Sequence, residues 1–367
     1  MTLLGNQMQP DASELRSFYE SLAPRHLQPL WTQNRDLMPT HPTPAALPWR
    51  WDWRTLRDRI SEAGRLVSID RGGDRRVLAL ANPGLKGRPF ATSTLWGAVQ
   101  YLGPGEGAPA HRHSQGAVRF VLEGSGVWTT VNGDACDMAP GDLVLTPSWT
   151  WHDHRSGSDH AMIWFDGLDM PLVDGLDAQF FELDPSDDFQ DIDGRNLSLD
   201  IVGDHPRLTA DPLPPSPDEA FSPTLVYRWQ DTEAALAGAL AKADGGVAQL
   251  SFVSPVTGRA LMPTLGCSIT RVAGGARTRP LRSTGSSIFV VRSGSGRSVI
   301  GGVEISWQDG DMFVAPSWSA VEHHADSSSD LFAVTDRPAL EALHLYREEY
   351  FDSPQAITKR FDEPLGA

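Results

Sequence analysis

The chain has 367 residues, 40% of them hydrophobic, and a formal charge of -16 at neutral pH, which leaves room for two domains with a real core and argues against nucleic-acid or anionic-membrane partners. Its two cysteines, Cys136 and Cys267, give neither a disulfide framework nor a CxxC metal pair. The start, MTLLGNQMQPDASELRS, lacks a basic segment followed by an apolar core, and no apolar run approaches the ~20 residues of a membrane span, so a cytoplasmic location is expected.

In chain order, DASELRSFYESL opens on a capping residue, Asp11, and predicts a short helix. DWRTLRDRISEAG puts Leu56, Ile60 and Ala63 on one helical face, with Gly64 as the stop. From Leu95 the texture changes to short β-rich runs between glycine, proline and Asn-Gly turns: LWGAVQYL, VRFVLEG, GVWTTVNGD, DLVLTP and HAMIWFDG. The acidic, proline-rich stretch DHPRLTADPLPPSPDEAFSP cannot form a helix interior or a central strand and reads as a linker. DTEAALAGALAKADGG predicts a helix from Asp231 to a Gly245 cap, and β texture then resumes with VAQLSFV, CSITRVAGG, SSIFVVRSG, GRSVIGG, DMFVAPSW and DLFAVTD. PALEALHLYREEYF predicts a closing helix with Pro338 in its first turn and Leu340 and Leu343 buried.

The two β stretches resemble each other. Gly105, Phe120, Gly141, Asp142, Pro147 and Trp149 reappear 169 positions later as Gly274, Phe289, Gly310, Asp311, Pro316 and Trp318. Identities repeated at one offset predict a mainly β chain built as a duplicated β-barrel.

In the first copy His111 and His113 flank Arg112, so a strand turns both imidazoles to one face. GDLVLTPSWTWHDH supplies His152 and His154 on a shared face of a second strand. If those strands are barrel neighbours, His111, His113 and His152 converge, and three neutral nitrogens with an open side suit Fe(II), Mn(II), Cu(II) or Zn(II). At the same offset the second copy carries Pro280, Arg282 and Val321, so metal is expected only in the first half and a structural role in the second. Arg119 is an even number of residues from His113, on the ligand face, where a guanidinium can hold a carboxylate bidentately. His160, His205, His323, His324 and His344 have no partner at ligand spacing and read as structural or solvent-facing.

The spacing from Gly105 through His111 and His113 to Gly141, Pro147, Trp149 and His152 resembles the two motifs of the cupin family. Where ordinary cupins carry a glutamate ligand this chain has Ala117 and Val118, which leaves three histidines. HRHSQGAVRF, VNGD with GDLVLTPSWTWHDH, WFDGLD, RGGDRR with LALANPG, PLWTQNRDLMPTHP and DMFVAPSW together resemble the gentisate 1,2-dioxygenase family, from about Leu30 to the C-terminal helix.

That resemblance implies a bicupin: two duplicated antiparallel jelly-roll barrels with N-terminal, linking and C-terminal helices. The expected regions are a wrapping N-terminal part over 1–94, a metal-binding cupin over 95–170, a linker and helix over 171–245, a metal-free cupin over 246–335 and a C-terminal helix over 336–367. It implies Fe(II) on His111, His113 and His152, cleavage of gentisate by O2 to maleylpyruvate, and a homotetramer. Salicylate or 1-hydroxy-2-naphthoate is the alternative substrate within the family. A metal-binding bicupin without oxygenase activity, or a zinc or manganese isomerase, is the alternative outside it. The family's pocket implies that Arg75 and Arg119 bind substrate and that Trp96, Ala98 and Gln100, on one strand face, line the site. His154 is expected to bond the substrate's second hydroxyl or the oxygen as an acid or base, and Asp166 to orient His154 or Arg75. His154, Arg119 and Asp166 are therefore the expected catalytic set.

Overall fold

The structure, a computed structural model, describes residues 12–33, 37–71, 76–186, 188–200, 207–212 and 220–361. The expected cap Asp11, the substrate arginine Arg75 and His205 lie outside the described residues. Residues up to Thr43 form a small unit of their own. Within it, the helix Ala12–Leu22 forms as its sequence predicts, and Trp31 donates its indole N–H to Tyr19 at 3.0 Å.

From Pro44 onward the chain builds two barrels, each from two facing sheets. In the first barrel one sheet runs, in spatial order, Val226–Tyr227, Leu143–Thr146, Ala117–Glu123, Met162–Leu168, Trp96–Leu102 and Val77–Ala79. Its facing sheet runs Phe181–Leu183, Gly107–His113, His152–Ser156, Val127–Val131, Asp134–Asp137 and Gly194–Arg195. The second barrel repeats both orders with strands from Val247–Phe252 to Lys359–Arg360, completed by Trp49–Trp51, and adds a seventh strand, Leu208–Thr209, on the edge beyond Val247–Phe252. The turn chemistry repeats as well: Asn132-Gly133 and Gly301-Gly302 both have positive φ at both positions, the hairpin geometry that follows the strands' own twist.

Each barrel is finished by a piece of chain that precedes the other. Trp49–Trp51 pairs with Met312–Ala315 of the second barrel, whereas Val226–Tyr227 pairs with Leu143–Thr146 of the first. The helices that follow make the same exchange. Asp311 accepts from the Trp53 N–H at 2.9 Å and Asp142 from the Trp229 N–H at 2.8 Å. The Trp53 and Trp229 rings lie against Gly310 and Gly141, where any Cβ would sit within 2.7 Å of the indole, and both glycines hold φ above +80°. Two aspartates tie the barrels reciprocally: Asp169 accepts from the Gly116 N–H and the Thr264 hydroxyl, and Asp336 from the Ser286 N–H and the Thr94 hydroxyl. The core is continuous between the barrels, with Phe120 stacked on Phe332 at 4.2 Å between centroids.

The strand register corrects the uniform 169-residue offset. Ala117 pairs with Thr146 while Ser287 pairs with Ala315, and His111 pairs with His152 while Leu281 pairs with Val321. The counterparts of His111, His113 and His152 are thus Leu281, Ser283 and Val321, not Pro280, Arg282 and Val321. Arg282 instead matches Arg112. Arg112 pairs with Glu182 and stacks over Trp149 at 4.5 Å, and Arg282 pairs with Glu349 and stacks over Trp318 at 4.6 Å. Gly105 and Phe120 therefore match Gly275 and Val290, and their agreement with Gly274 and Phe289 is one residue out of register. A single-residue slip exchanges every side chain between the two faces of a strand.

Three helix expectations also change. Trp53–Leu66 runs through Gly64 instead of stopping there, because the Tyr101 ring packs where a Cβ would lie 2.7 Å away. Its cap is Asp52, which accepts from the Thr55 N–H at 2.9 Å. The central helix is Trp229–Leu240, starting two residues before Asp231 because Asp142 caps the Trp229 N–H, and ending well short of Gly245. The closing helix is only Arg337–Ala342; it buries Pro338 and Ala339 and leaves Leu343 exposed, since the following Glu348–Tyr350 is drawn out as an edge strand on Leu281–Ser283. Among the described residues no helix is long and apolar enough to cross a membrane.

Candidate metal centre

Strand alternation and the His111 to His152 pairing bring three imidazoles together inside the first barrel. One ring nitrogen from each of His111, His113 and His152 lies within 4.8 Å of the others, and this is the only such cluster among the described residues. The rings are held by the main chain. The Nδ1 atoms lie 2.9 Å from the Pro109 carbonyl, 2.8 Å from that of Gln115 and 3.0 Å from that of Thr150, for His111, His113 and His152 in turn. A carbonyl only accepts, so each Nδ1 carries the proton and each Nε2 keeps a lone pair.

The buried His152 Nε2 has no hydrogen-bond partner. Burial, reinforced by its histidine neighbours and Arg119, holds the His152 imidazole neutral far below its ordinary titration range. An orphaned lone pair with two fixed imidazoles beside it is what a metal ion satisfies. The cluster fits a mononuclear Fe(II) centre, and its uncharged ligands would leave the ion its full charge for anionic substrate oxygens.

The sheet opposite the triad supplies the polar wall. Ala98, Asp166, Arg119 and Val144 occupy one row across four adjacent strands, and Trp96, Leu168, Ala117 and Thr146 the next. Arg119, almost fully buried, donates Nη1 to the Thr146 hydroxyl at 2.5 Å and sets Nε 3.4 Å from Asp166 Oδ1. Burial lowers the Arg119 pKa and raises that of Asp166 to about 6, each opposed by the other's charge. Both Asp166 oxygens also accept from the Trp164 indole at 3.1 Å. Asp166 therefore pairs with Arg119; of the two partners expected for it, His154 bonds Thr129 instead and Arg75 lies outside the described residues.

His154 lies two residues beyond His152, with its ring 6.0 Å from that of His152 and 5.5 Å from that of Trp164. Its Nδ1 meets the Thr129 hydroxyl at 2.9 Å, leaving Nε2 for the interior. Burial, together with the Arg119 charge, keeps it neutral. Gln100 is buried opposite Trp164 in the strand pairing, and Ala98 is buried opposite Asp166, while Trp96 is half-buried.

Two contributors escaped the sequence reading. Phe181 stacks on His111 at 5.5 Å and covers the triad from an edge strand; the only signal was the apolar pair Phe180-Phe181 in an acidic segment. Thr146 aligns Arg119 from the strand before the PSW turn, where nothing distinguishes it from a core threonine. In the RGGDRR loop Arg76 is a structural residue, pairing with Glu106 and donating to the Gly64 carbonyl at 2.8 Å.

A cupin domain family profile matches residues 98–168, the strands that carry this site. The chain is 44% identical over 348 residues to a gentisate 1,2-dioxygenase of Streptomyces sp, covering 92% of this chain and 96% of that protein. It is 33% identical over 373 residues to a 5-aminosalicylate 1,2-dioxygenase of Comamonas sp, covering 96% of each. The crystal structure of salicylate 1,2-dioxygenase from Pseudoaminobacter salicylatoxidans, with gentisate adducts, superposes with a TM-score of 0.86 at 41% identity, over 95% of this chain and 98% of that one. With the histidine triad and the duplicated barrel already in place, these likenesses show that the chain belongs to the gentisate- and salicylate-type bicupin ring-cleaving dioxygenases and is an oxidoreductase of that family.

Proposed function

We propose that the chain is a gentisate 1,2-dioxygenase, which joins gentisate to O2 and opens the ring to maleylpyruvate. The observation that carries this reading is the orphaned Nε2 of His152 between two carbonyl-fixed imidazoles, facing a buried arginine. Bound Fe(II) supplies a Lewis-acidic, redox-active centre with positions open to the substrate's oxygens and to O2. Around it the chain's own groups act by position. Arg119, aligned by Asp166 and Thr146, holds the substrate carboxylate, and Arg75 is proposed as the second anion-binding arginine. His154 meets the second ring hydroxyl and holds or releases its proton through Nε2, with Thr129 fixing the ring. Trp96, Ala98 and Gln100 form the wall that sets which ring fits.

A second reading is favoured by the 41% identity to a salicylate 1,2-dioxygenase: the substrate is salicylate, which lacks the second hydroxyl. Loading the protein with Fe(II) without air and following oxygen uptake separates the two. Uptake with gentisate well above that with salicylate, and none with catechol, is expected. Uptake with salicylate or 1-hydroxy-2-naphthoate alone moves the assignment within the family, and no uptake with any hydroxybenzoate overturns it. We also propose a homotetramer in the cytoplasm, testable by light scattering and cell fractionation.

A further inference from the structure

A cavity of about 550 Å³ opens in the second barrel, well within the range of small-molecule sites. It occupies the place that the metal centre occupies in the first barrel, but its lining is different. Register puts Leu281, Ser283 and Val321 where the first barrel has His111, His113 and His152. Phe289 stands where Arg119 stands, and Ala333 where Asp166 stands. The chamber has therefore lost its metal ligands and its buried ion pair. In exchange it has gained hydroxyls: Ser268, Ser287 and Thr335 line it where the first barrel has Ala98, Ala117 and Leu168.

One histidine is kept. His323, only 6% exposed, lines this cavity at the position of His154. Its Nδ1 lies 2.7 Å from the Ser298 oxygen, as His154 lies against Thr129. The supporting contact differs. The Trp307 indole, which can only donate, gives its N–H to Ser298 at 2.8 Å. Among the described residues the Ser298 proton then has one acceptor, His323 Nδ1, so the ring carries its own proton on Nε2 and offers a donor to the cavity. Beside it Phe289 packs edge-on at 4.9 Å, backed by the stacked Phe313 ring.

The charge pattern narrows the ligand. No charged side chain stands in the deep positions once held by Arg119 and Asp166, so an ionised group buried there would be unpaired, which is costly. At the rim Arg277 is exposed and forms no ion pair among the described residues. We propose that the second barrel is a metal-free binding chamber for a small hydroxyaromatic acid, its ring beside Phe289, its neutral oxygen on His323 and its carboxylate at Arg277.

The probe is 3-hydroxybenzoate, whose two oxygen groups are too far apart on the ring to chelate one metal ion. Titration calorimetry on the full-length iron-loaded protein is expected to show one site per chain. That site should weaken at least tenfold in His323→Phe and in Ser268→Leu, which fills the chamber while leaving the His323 to Ser298 bond, and several-fold in Arg277→Ala. It should persist in His152→Ala. Iron content of the first barrel checks that the three second-barrel variants are folded, and near-ultraviolet circular dichroism checks this for His152→Ala as well. No heat of binding in the wild-type protein, equal affinity in the three second-barrel variants, or loss of binding in His152→Ala alone overturns the proposal.

Discussion

In the first barrel Arg112 pairs with Glu182 over Trp149, Thr129 holds His154, and Asp169 ties Gly116 to Thr264. In the second, Arg282 pairs with Glu349 over Trp318, Ser298 holds His323, and Asp336 ties Ser286 to Thr94. These supporting devices are common to both, and the differences that set the contents of each barrel lie in side chains that alternate onto the inner faces. Duplication preserved what closes a barrel and freed what fills it. The first barrel carries three imidazoles, one arginine and one aspartate on those faces, and their replacement by Leu281, Ser283, Val321, Phe289 and Ala333 in the second leaves the architecture standing.

That contrast can be broken most severely at the metal. His152→Ala is expected to cut iron content and oxygen uptake by more than ~100-fold, beyond the ~10–100-fold typical of removing an outer-sphere partner. His323→Ala should leave iron content unchanged; metal analysis of both proteins checks this. A chelator should also lower the melting temperature of the wild-type holoprotein and not that of His152→Ala, since bound metal stabilises only a chain able to hold it.

Next in size is the buried ion pair present only in the first barrel. Arg119→Met leaves Asp166 buried without its cation and should cost about 3 kcal/mol in urea unfolding, together with a large rise in KM. Phe289→Met, at the matching position of the second barrel, should cost less than about 1.5 kcal/mol, as volume-conserving apolar exchanges do.

The reciprocal aspartates probe what the barrels share. Burial raises the carboxyls of Asp169 and Asp336 from 3.8 to about 6. The native state thus binds their protons more tightly than the unfolded chain does. Their contribution to stability is fully present below about pH 4 and is lost as pH rises through about 6, by about 3 kcal/mol each. Urea unfolding from pH 4.5 to 7 should show this decline, and it should flatten by similar amounts in Asp169→Asn and Asp336→Asn. Unequal flattening would show that the two ties are not equivalent.

The smallest effect concerns the hydroxyl partners of the retained histidines. Thr129→Val and Ser298→Ala each leave a buried ring nitrogen unpaired, at about 1 kcal/mol. Thr129→Val should alter turnover and its pH profile as well, whereas Ser298→Ala should leave turnover unchanged.

The β runs, the Asn-Gly turn and the HxH spacing were legible in the sequence because strand alternation and turn chemistry are local. The repeat was legible too, through Gly141, Asp142, Pro147 and Trp149 and their matches at Gly310, Asp311, Pro316 and Trp318. These residues fill positions where a positive φ, a cap or a tight packing contact tolerates few alternatives. The register between the copies was not legible. A one-residue shift between strands leaves no mark on composition, so Pro280 and Arg282 stood in for Leu281 and Ser283.

The sequence by itself determined the triad and the arginine expected beside it, since three neutral nitrogens on alternating positions are a property of residue type and spacing. Only tertiary structure decided that Asp166 serves Arg119, that Phe181 covers His111, and that each barrel is closed by the segment preceding the other. It also decided that His323, without a partner at ligand spacing, faces a chamber with its proton fixed by Ser298 and Trp307. These are contacts between residues far apart in the chain, set by strand pairing and by how side chains share a buried volume, and neither is written in local periodicity.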